Sequence, residues 1–140
     1  MQIQNQPPLH LTYCLNIHPG ETWADQLFAI RTKARAVRER VAPGQPFGLG
    51  LRLSRRAADA LVRPAARREL KTLLAREQMY VFSINGFPYG PFHGEPVKER
   101  VYAPDWREPE RLDYTNRLAD ILADLLPEGV SGSISTVPGS

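Results

Sequence analysis

The side chains best suited to chemistry lie in one loop, directly after the apolar run 79–83. This loop, residues 84–94, combines glycine, proline and aromatic residues with the polar side chains of Asn85, Tyr89 and His93. Glycine and proline define the backbone path, while an amide, a phenol and an imidazole supply donors, acceptors and a titratable ring. In βα architectures such a loop lies at the carboxyl end of a strand, where ligands bind. The segment therefore predicts one wall of a small-molecule site.

Polar residues also end the first predicted strand. Asn16 and His18 are two residues apart, so they share one face if the strand is extended. An imidazole there can orient a substrate hydroxyl, transfer a proton or bind a metal, or it can simply bond a loop carbonyl. Asn85 ends the third predicted strand, where its amide either binds a hydroxylated ligand or starts an Asx turn.

Three further side chains complete the set of candidates. His93 either faces solvent or lies under an aromatic lid, and Lys98 either binds a phosphate or carboxylate or is solvated. Ser135 ends the fourth predicted strand, where it bonds a substrate or caps a following helix. On the functional interpretation the catalytic candidates are His18, His93 and Lys98, and the substrate-binding candidates are Asn16, Asn85, Tyr89 and Ser135.

Short strands alternate with longer helices along the chain. Alternating or continuous apolar runs predict strands at residues 9–17, 47–53, 79–84 and 129–135. Apolar residues three or four apart predict helices at 22–42, 55–76 and 108–126, the second of them broken at Pro64. Thr22 and Ser54 are the expected helix N-caps. The order β-α-β-α-β-α-β predicts a parallel sheet with right-handed crossovers.

Two details of this pattern concern packing. Gly48 and Gly50 alternate in the second strand and indicate close approach of neighbouring elements. The last helix is expected to bury a stripe of leucines and small residues, namely Leu112, Thr115, Leu118, Ala119, Leu122 and Leu126.

The fold class is α/β, with about four parallel strands and three helices. Residues 1–140 are interpreted as one domain that stops just after its fourth strand, which would leave a parallel sheet half covered. A barrel of eight strand–helix units takes about 250 residues. We therefore expect the truncated amino-terminal half of a (β/α)8 TIM-barrel domain, the alternative being a compact four-stranded domain.

Charge and composition bound the partners. The chain has 18 basic and 15 acidic residues, and the acidic residues are interspersed among arginines of the predicted helices. This pattern is typical of solvated helix faces and argues against nucleic acid as the partner. Cys14 is the single cysteine, which indicates a reducing compartment. No leader and no apolar run of about 18 residues is present, so we expect a cytoplasmic protein without a membrane segment.

Several common catalytic patterns are missing from the sequence. It has no phosphate-binding glycine motif, no His-Glu-x-x-His and no Gly-x-Ser-x-Gly. None of the four predicted strands ends in a carboxylate, and Glu21 is the nearest one. A complete acid–base pair or metal centre is therefore not visible within residues 1–140.

The chain resembles the xylose-isomerase-like superfamily of TIM barrels, the sugar phosphate isomerases and epimerases, and within it the EboE group of metabolite traffic proteins. The stretches that carry this resemblance are Leu11–Trp23, Phe47–Ser54, Asn85–Gly90, Phe92–Gly94, Val97–Lys98, Tyr102, Pro104–Arg107 and Ser133–Gly139. The resemblance implies a (β/α)8 fold and a divalent metal held by carboxylates and histidine on later strands. Those strands are absent from this chain, so the implied metal ligands are absent too.

Three functions follow as expectations. The first is metal-assisted proton transfer next to a carbonyl, which isomerises or epimerises a small polyhydroxylated metabolite in the full-length protein. The second is non-catalytic binding or trafficking of such a metabolite, as the EboE resemblance implies. The third, a nuclease of the apurinic endonuclease type, is disfavoured because the arginines lie on helices rather than in strand-end loops. Half-barrels can also pair through their open edges, so a homo-oligomer is a further expected partner.

Overall fold

The computed structural model describes residues 1–91 and 101–139, and it begins with a short antiparallel hairpin. Its strands are β1 (Gln2–Asn5) and β2 (Pro8–His10). The predicted first strand, 9–17, is therefore wrong in its extent, because its start pairs with β1 and only β3 (Thr12–Cys14) joins the parallel sheet. After β3 the chain coils into a 3₁₀ turn, Leu15–Ile17, which is closed by the His18 amide donating to the Leu15 carbonyl at 3.0 Å.

A four-stranded parallel sheet forms the centre of the described chain. Its other strands are β4 (Phe47–Arg52), β5 (Met79–Asn85) and β6 (Ser133–Ser135). The order in the sheet is β3-β4-β5-β6, with every neighbouring pair parallel. The protein is therefore mixed α/β, as predicted. β6 is shorter than the predicted 129–135, because only its last three residues pair with β5.

Within residues 1–91 and 101–139, five α-helices lie in the connections between these strands. The first connection comprises α1 (Trp23–Ala29), a π-helical turn (Ile30–Ala34) and α2 (Arg35–Val41). The second comprises α3 (Arg55–Leu61) and α4 (Pro64–Arg76), and the third contains α5 (Pro109–Leu125). The predicted break at Pro64 is confirmed, because Pro64 is the first residue of α4. Amides in the first turn of a helix have no intrahelical acceptor, so proline, which lacks an N–H, is well tolerated there.

The predicted helix caps are confirmed. The Thr22 hydroxyl accepts from the Asp25 amide at 3.2 Å while the Asp25 carboxylate accepts from the Thr22 amide at 2.9 Å. This reciprocal pair satisfies two amides that a helix start leaves without intrahelical acceptors. Ser54 caps α3 through the Ala57 amide at 3.1 Å. Both helices therefore begin at fixed points just beyond the carboxyl ends of strands.

One face of the sheet packs against the helices. Leu49, Leu51 and Leu53 of β4 and its exit are fully buried, and they belong to one apolar core with residues of α1, α3, α4 and α5. The helices form a continuous layer, in which α3 contacts α1, α4 and α5. Burying this leucine face supplies the main driving force that holds the layer to the sheet.

The two glycines of β4 are closely packed by Leu11, which follows the hairpin, and by the neighbouring strand β3. A Cβ added at Gly48 would lie 2.5 Å from the Leu11 carbonyl oxygen, and one added at Gly50 would lie 2.9 Å from Cys14 Sγ. The close approach predicted from these glycines is therefore confirmed. His10 of the hairpin packs beside Tyr80 and Phe82, with ring centroids 5.7 and 5.5 Å apart.

The predicted apolar stripe of the last helix is wrong in part. Leu118 and Leu122 are buried as expected, but Leu112 is 53% exposed. The residues that α5 buries are Arg111, Tyr114, Leu118, Ile121, Leu122 and Leu125. The pattern was assigned from leucines and small residues, whereas the true inner face starts with a charged residue and a tyrosine that bind backbone carbonyls.

Candidate functional site

Arg52 organises the carboxyl edge of the sheet. It is the last residue of β4 and is fully buried. Its Nη1 donates to the Gly20 carbonyl at 2.9 Å and to Glu21 Oε1 at 2.6 Å, and its Nη2 donates to the Gly90 carbonyl at 2.8 Å. The planar guanidinium thus joins the loop after the first sheet strand to the loop after the third.

Glu21 supplies the carboxylate that pairs with Arg52 inside the fold. Sequence inspection identified it only as the carboxylate nearest to a strand end. Its backbone carbonyl also accepts from the Ser54 hydroxyl at 2.6 Å. Arg52 is fully buried and the Glu21 side chain is 29% exposed. Such an ion pair gives little net stability, because the cost of desolvating the charges offsets their attraction. Its consequence is geometric: the loop at residues 20–21 is held against the exit of β4.

A second buried arginine, Arg111 of α5, fixes the opposite side of the edge. Its Nε donates to the Pro104 carbonyl at 2.7 Å, and its two Nη atoms donate to the carbonyls of Gly86 at 2.9 Å and Phe87 at 3.1 Å. Burial lowers the pKa of this guanidinium. The loop that follows β5 is therefore held by a charged, five-donor group rather than by regular secondary structure.

Tyr114, one turn further along α5, ties the same loop to β4. Its hydroxyl donates to the Leu53 carbonyl and lies 3.4 Å from the Pro88 carbonyl. The pKa of this phenol is raised, above all by burial. Tyr89 packs edge-on against it with centroids 5.1 Å apart, and the Arg111 guanidinium lies 5.8 Å from the Tyr89 ring centre. Tyr89 therefore packs against the residues that hold the loop after β5 in place.

Asn85 and Ser135 are the two predicted site residues that the fold brings together. They are register partners at the ends of β5 and β6, and the Ser135 hydroxyl lies 3.5 Å from Asn85 Oδ1. The Gly86 amide donates to the Ser135 carbonyl at 3.0 Å. A Cβ at Gly86 would lie 2.8 Å from that same carbonyl oxygen. The lack of a side chain at residue 86 thus allows the two strand ends to meet.

The placement of Asn16 and His18 differs from the prediction. Asn16 lies within the 3₁₀ turn and His18 follows it, so the alternation expected of an extended strand does not apply. His18 Nε2 is hydrogen-bonded to the Tyr13 hydroxyl at 2.9 Å, and both residues are half-buried. β4 separates this group from the Asn85–Ser135 pair. The predicted catalytic residues His93 and Lys98 lie outside the described residues.

Trp106 and its neighbours in sequence lie beside the residues that follow β6. Trp106 Nε1 donates to the Val137 carbonyl at 3.1 Å, and the Arg107 guanidinium contacts both carboxylate oxygens of Asp105. This pairing lowers the pKa of Asp105 to about 2. A cavity of about 260 Å³ is lined by Asp105, Trp106, Arg107, Pro138 and Gly139. The ring of Trp106 therefore forms a partly exposed border on the β6 side.

Sequence reasoning missed both buried arginines. Arg52 sits in an otherwise apolar run, Phe47–Leu53, where a charged residue at the strand end was an available signal. Arg111 falls one position before the first leucine assigned to the stripe of α5. Buried arginines bonded to loop carbonyls depend on contacts between distant segments, which periodicity does not report.

The described residues do not by themselves fit the divalent metal that the resemblance implies. Within residues 1–91 and 101–139, no three His, Cys, Asp or Glu side chains lie together in a way that could hold a metal ion. Among the helices described, none combines the length and the apolar character needed to cross a bilayer.

Comparison with protein-family models, with curated proteins and with solved structures found no match for this chain.

Proposed function

We propose that this chain is a strand–helix half of a (β/α)8 barrel of the xylose-isomerase-like kind, and that its carboxyl edge binds a small polyhydroxylated metabolite. The strand order supports the barrel geometry. Four parallel strands follow one another in chain order, and the helices between them form one layer. Doubly wound sheets instead reverse their strand order and carry helices on both faces.

The pairing of Asn85 with Ser135 is the observation that carries the binding proposal. An amide and a hydroxyl on adjacent strand ends both donate and accept hydrogen bonds, which is what a ligand with neighbouring hydroxyl groups requires. The main-chain bond between Gly86 and Ser135 holds these two strand ends together. Binding groups on a rigid frame lose little conformational entropy when a ligand arrives.

The charges of the edge favour hydroxyl groups over phosphate at this position. The guanidinium of Arg52 is turned to Glu21 and to loop carbonyls, and that of Arg111 is turned to three carbonyls. Both cations therefore point into the protein frame. The Asn85 amide and the Ser135 hydroxyl, at the ends of β5 and β6, are neutral. A ligand that presents neutral hydroxyl groups can bind them without the cost of removing a charge from water.

Binding or trafficking without chemistry requires no metal ligand and no acid–base group at this edge. Isomerisation or epimerisation is the second candidate, favoured by the resemblance and by the strand order. It requires metal ligands and acid–base groups from later strands of the full-length protein, so no catalytic step is derived from the described residues.

An NMR titration of the protein with xylose, glycerol and myo-inositol tests the binding proposal. We expect the signals of Asn85, Gly86 and Ser135 to shift, with an affinity in the millimolar range. Asn85→Leu should weaken binding about fivefold, since one good hydrogen bond is worth about 1 kcal/mol. Ser133→Ala, which removes an exposed hydroxyl from the neighbouring strand β6, two residues before Ser135, is the control. Unshifted signals at this edge with all three probes would refute the proposal.

A separate assay distinguishes the two candidates. Incubating the full-length protein with a reducing sugar and Mn²⁺ in heavy water reports proton abstraction as deuterium at the carbon next to the carbonyl. Incorporation above the Asn85→Leu background supports the enzyme. Binding without incorporation supports a carrier.

A further inference from the structure

A cavity of about 860 Å³ lies at the amino edge of the sheet, opposite the site discussed above. Strand β1 and His10 of the hairpin form one side. Gln45, which precedes β4, and Tyr80, near the start of β5, form the other, and Val130 closes it beside β6. The volume lies in the range of about 300–1,000 Å³ that small-molecule sites occupy.

Carboxamides line much of this cavity. Gln4 donates through Nε2 to the carbonyls of Gln6 and Pro7, at 3.0 and 3.2 Å, which orients the group and leaves its oxygen as an acceptor. Asn5 and Gln45 also line the cavity, and their side-chain amides form no hydrogen bond within the described part of the chain. Each such amide offers a donor and an acceptor side by side, a spacing that matches two neighbouring hydroxyl groups.

An oriented aromatic pair adds an apolar wall. His10 Nδ1 and the Tyr80 hydroxyl are 2.9 Å apart, and the Tyr80 and Phe82 rings stack with centroids 5.8 Å apart. The bond and the stacking fix both cavity-lining rings, so neither must be ordered when a ligand binds. Aromatic side chains with a polar tip suit ligands that present both C–H and O–H groups.

The charge pattern selects the ligand class. Among the described residues that line the cavity, no Lys, Arg, Asp or Glu side chain is present. The Met1 amino group is also in the lining, and it donates to the Leu11 carbonyl at 2.6 Å. Burial lowers the pKa of this amino group, and the Leu11 carbonyl already takes one of its donors, so it is a weak partner for an anion. With no cationic side chain among the described lining residues, a phosphorylated or carboxylated ligand would therefore be desolvated at a cost.

From the cavity, its amides and its aromatic wall we infer a second binding site, for a neutral carbohydrate of one to three rings. The amides of Asn5 and Gln45 bind its hydroxyl groups, and the rings of His10 and Tyr80 contact its C–H face. This site lies at the amino ends of the strands and is independent of the function proposed for the carboxyl edge.

Titration of ¹⁵N-labelled protein with glucose, maltose and glucose 6-phosphate tests the inference. We expect a neutral sugar to shift the signals of Asn5, His10, Gln45 and Tyr80. Glucose 6-phosphate should shift them less than glucose at equal concentration. Gln45→Ala should weaken binding about fivefold, the effect of about 1 kcal/mol. The matched control is Gln6→Ala, an exposed amide of the same hairpin outside the lining.

Three results would overturn the inference. One is that neither neutral sugar shifts these signals at about 50 mM, a concentration that detects even very weak sites. Another is that the Gln45→Ala and Gln6→Ala variants lose the same amount of affinity for the neutral sugar. The third is that the same signals move only with protein concentration, which would assign the cavity to self-association. Signals of Asn85 and Ser135 report the carboxyl edge separately, so failure of one site is distinguishable from failure of the other.

Discussion

Replacing Arg111 with lysine tests whether the loop after β5 is held by a guanidinium or merely by a positive charge. Lysine keeps the charge but offers one compact ammonium group in place of a planar fork with five donors. From one position, an ammonium can replace at most one of the three bonds to the carbonyls of Gly86, Phe87 and Pro104. Two bonds from a charged donor are therefore lost.

The loss of unfolding free energy in Arg111→Lys follows from the two hydrogen bonds that are lost. A hydrogen bond to a charged group contributes about 1.5–3 kcal/mol, and two of the three carbonyls are close enough to solvent to rehydrate in part, so the low end applies. The variant should lose about 3 kcal/mol of unfolding free energy, or about 10 °C in melting temperature for a domain of this size. Domains typically have about 5–15 kcal/mol to lose, so we expect the variant to fold.

Urea unfolding followed by circular dichroism measures this loss. Arg117→Lys is the matched control, because Arg117 lies on the same helix and its hydrogen-bonded contact is with one side-chain carboxylate, that of Asp59. A lysine can maintain that ion pair, so we expect a change of less than about 0.5 kcal/mol. If Arg111→Lys is no less stable than Arg117→Lys, the three-carbonyl contact does not hold the loop and the reasoning fails.

Three other perturbations have defined outcomes. Gly48→Ala should cost about 2–3 kcal/mol in urea unfolding, because its Cβ would collide with backbone atoms, while Gly90→Ala, with open space around it, should be near neutral. Ser54→Ala should cost about 1–2 kcal/mol in thermal unfolding, because its hydroxyl both caps α3 and donates to a loop carbonyl. The pKa of Asp25 is lowered, mainly by the Thr22 hydroxyl, so the stability it provides is present above its ordinary value of 3.8 and is lost as pH falls below it. Asp25→Asn should therefore flatten the acid limb of a stability–pH curve; an unchanged slope would contradict this.

Local sequence signals predicted the elements that local physics determines. The caps at Thr22 and Ser54, the break at Pro64 and the close packing at Gly48 each follow from the chemistry of one or two residues, and all are confirmed. The first strand was predicted wrongly because an apolar, β-rich stretch has the same pattern whether it pairs with a hairpin or with a parallel sheet. The choice between those pairings depends on residues far along the chain.

The candidate site was predictable only at the level of the strand ends. Asn85 and Ser135 meet because consecutive parallel strands end at the same edge. The 3₁₀ turn removed the expected alternation of Asn16 and His18, since side chains two residues apart share a face only while the chain is extended. Arg111 was not predicted to be buried. Its charge is stabilised by carbonyl groups of other segments of the chain, and the spacing of residues within one helix does not reveal such contacts.

The guanidinium of Arg52 has a consequence for how the molecule moves. By holding the carbonyls of Gly20 and Gly90 together, it connects two loops that are 70 positions apart in the sequence. Opening either loop takes a partner from the same buried guanidinium, and this destabilises the contact that the guanidinium makes with the other loop. The rim of the sheet should thus open as one cooperative unit, in which amide hydrogens of both loops exchange with solvent at a common rate.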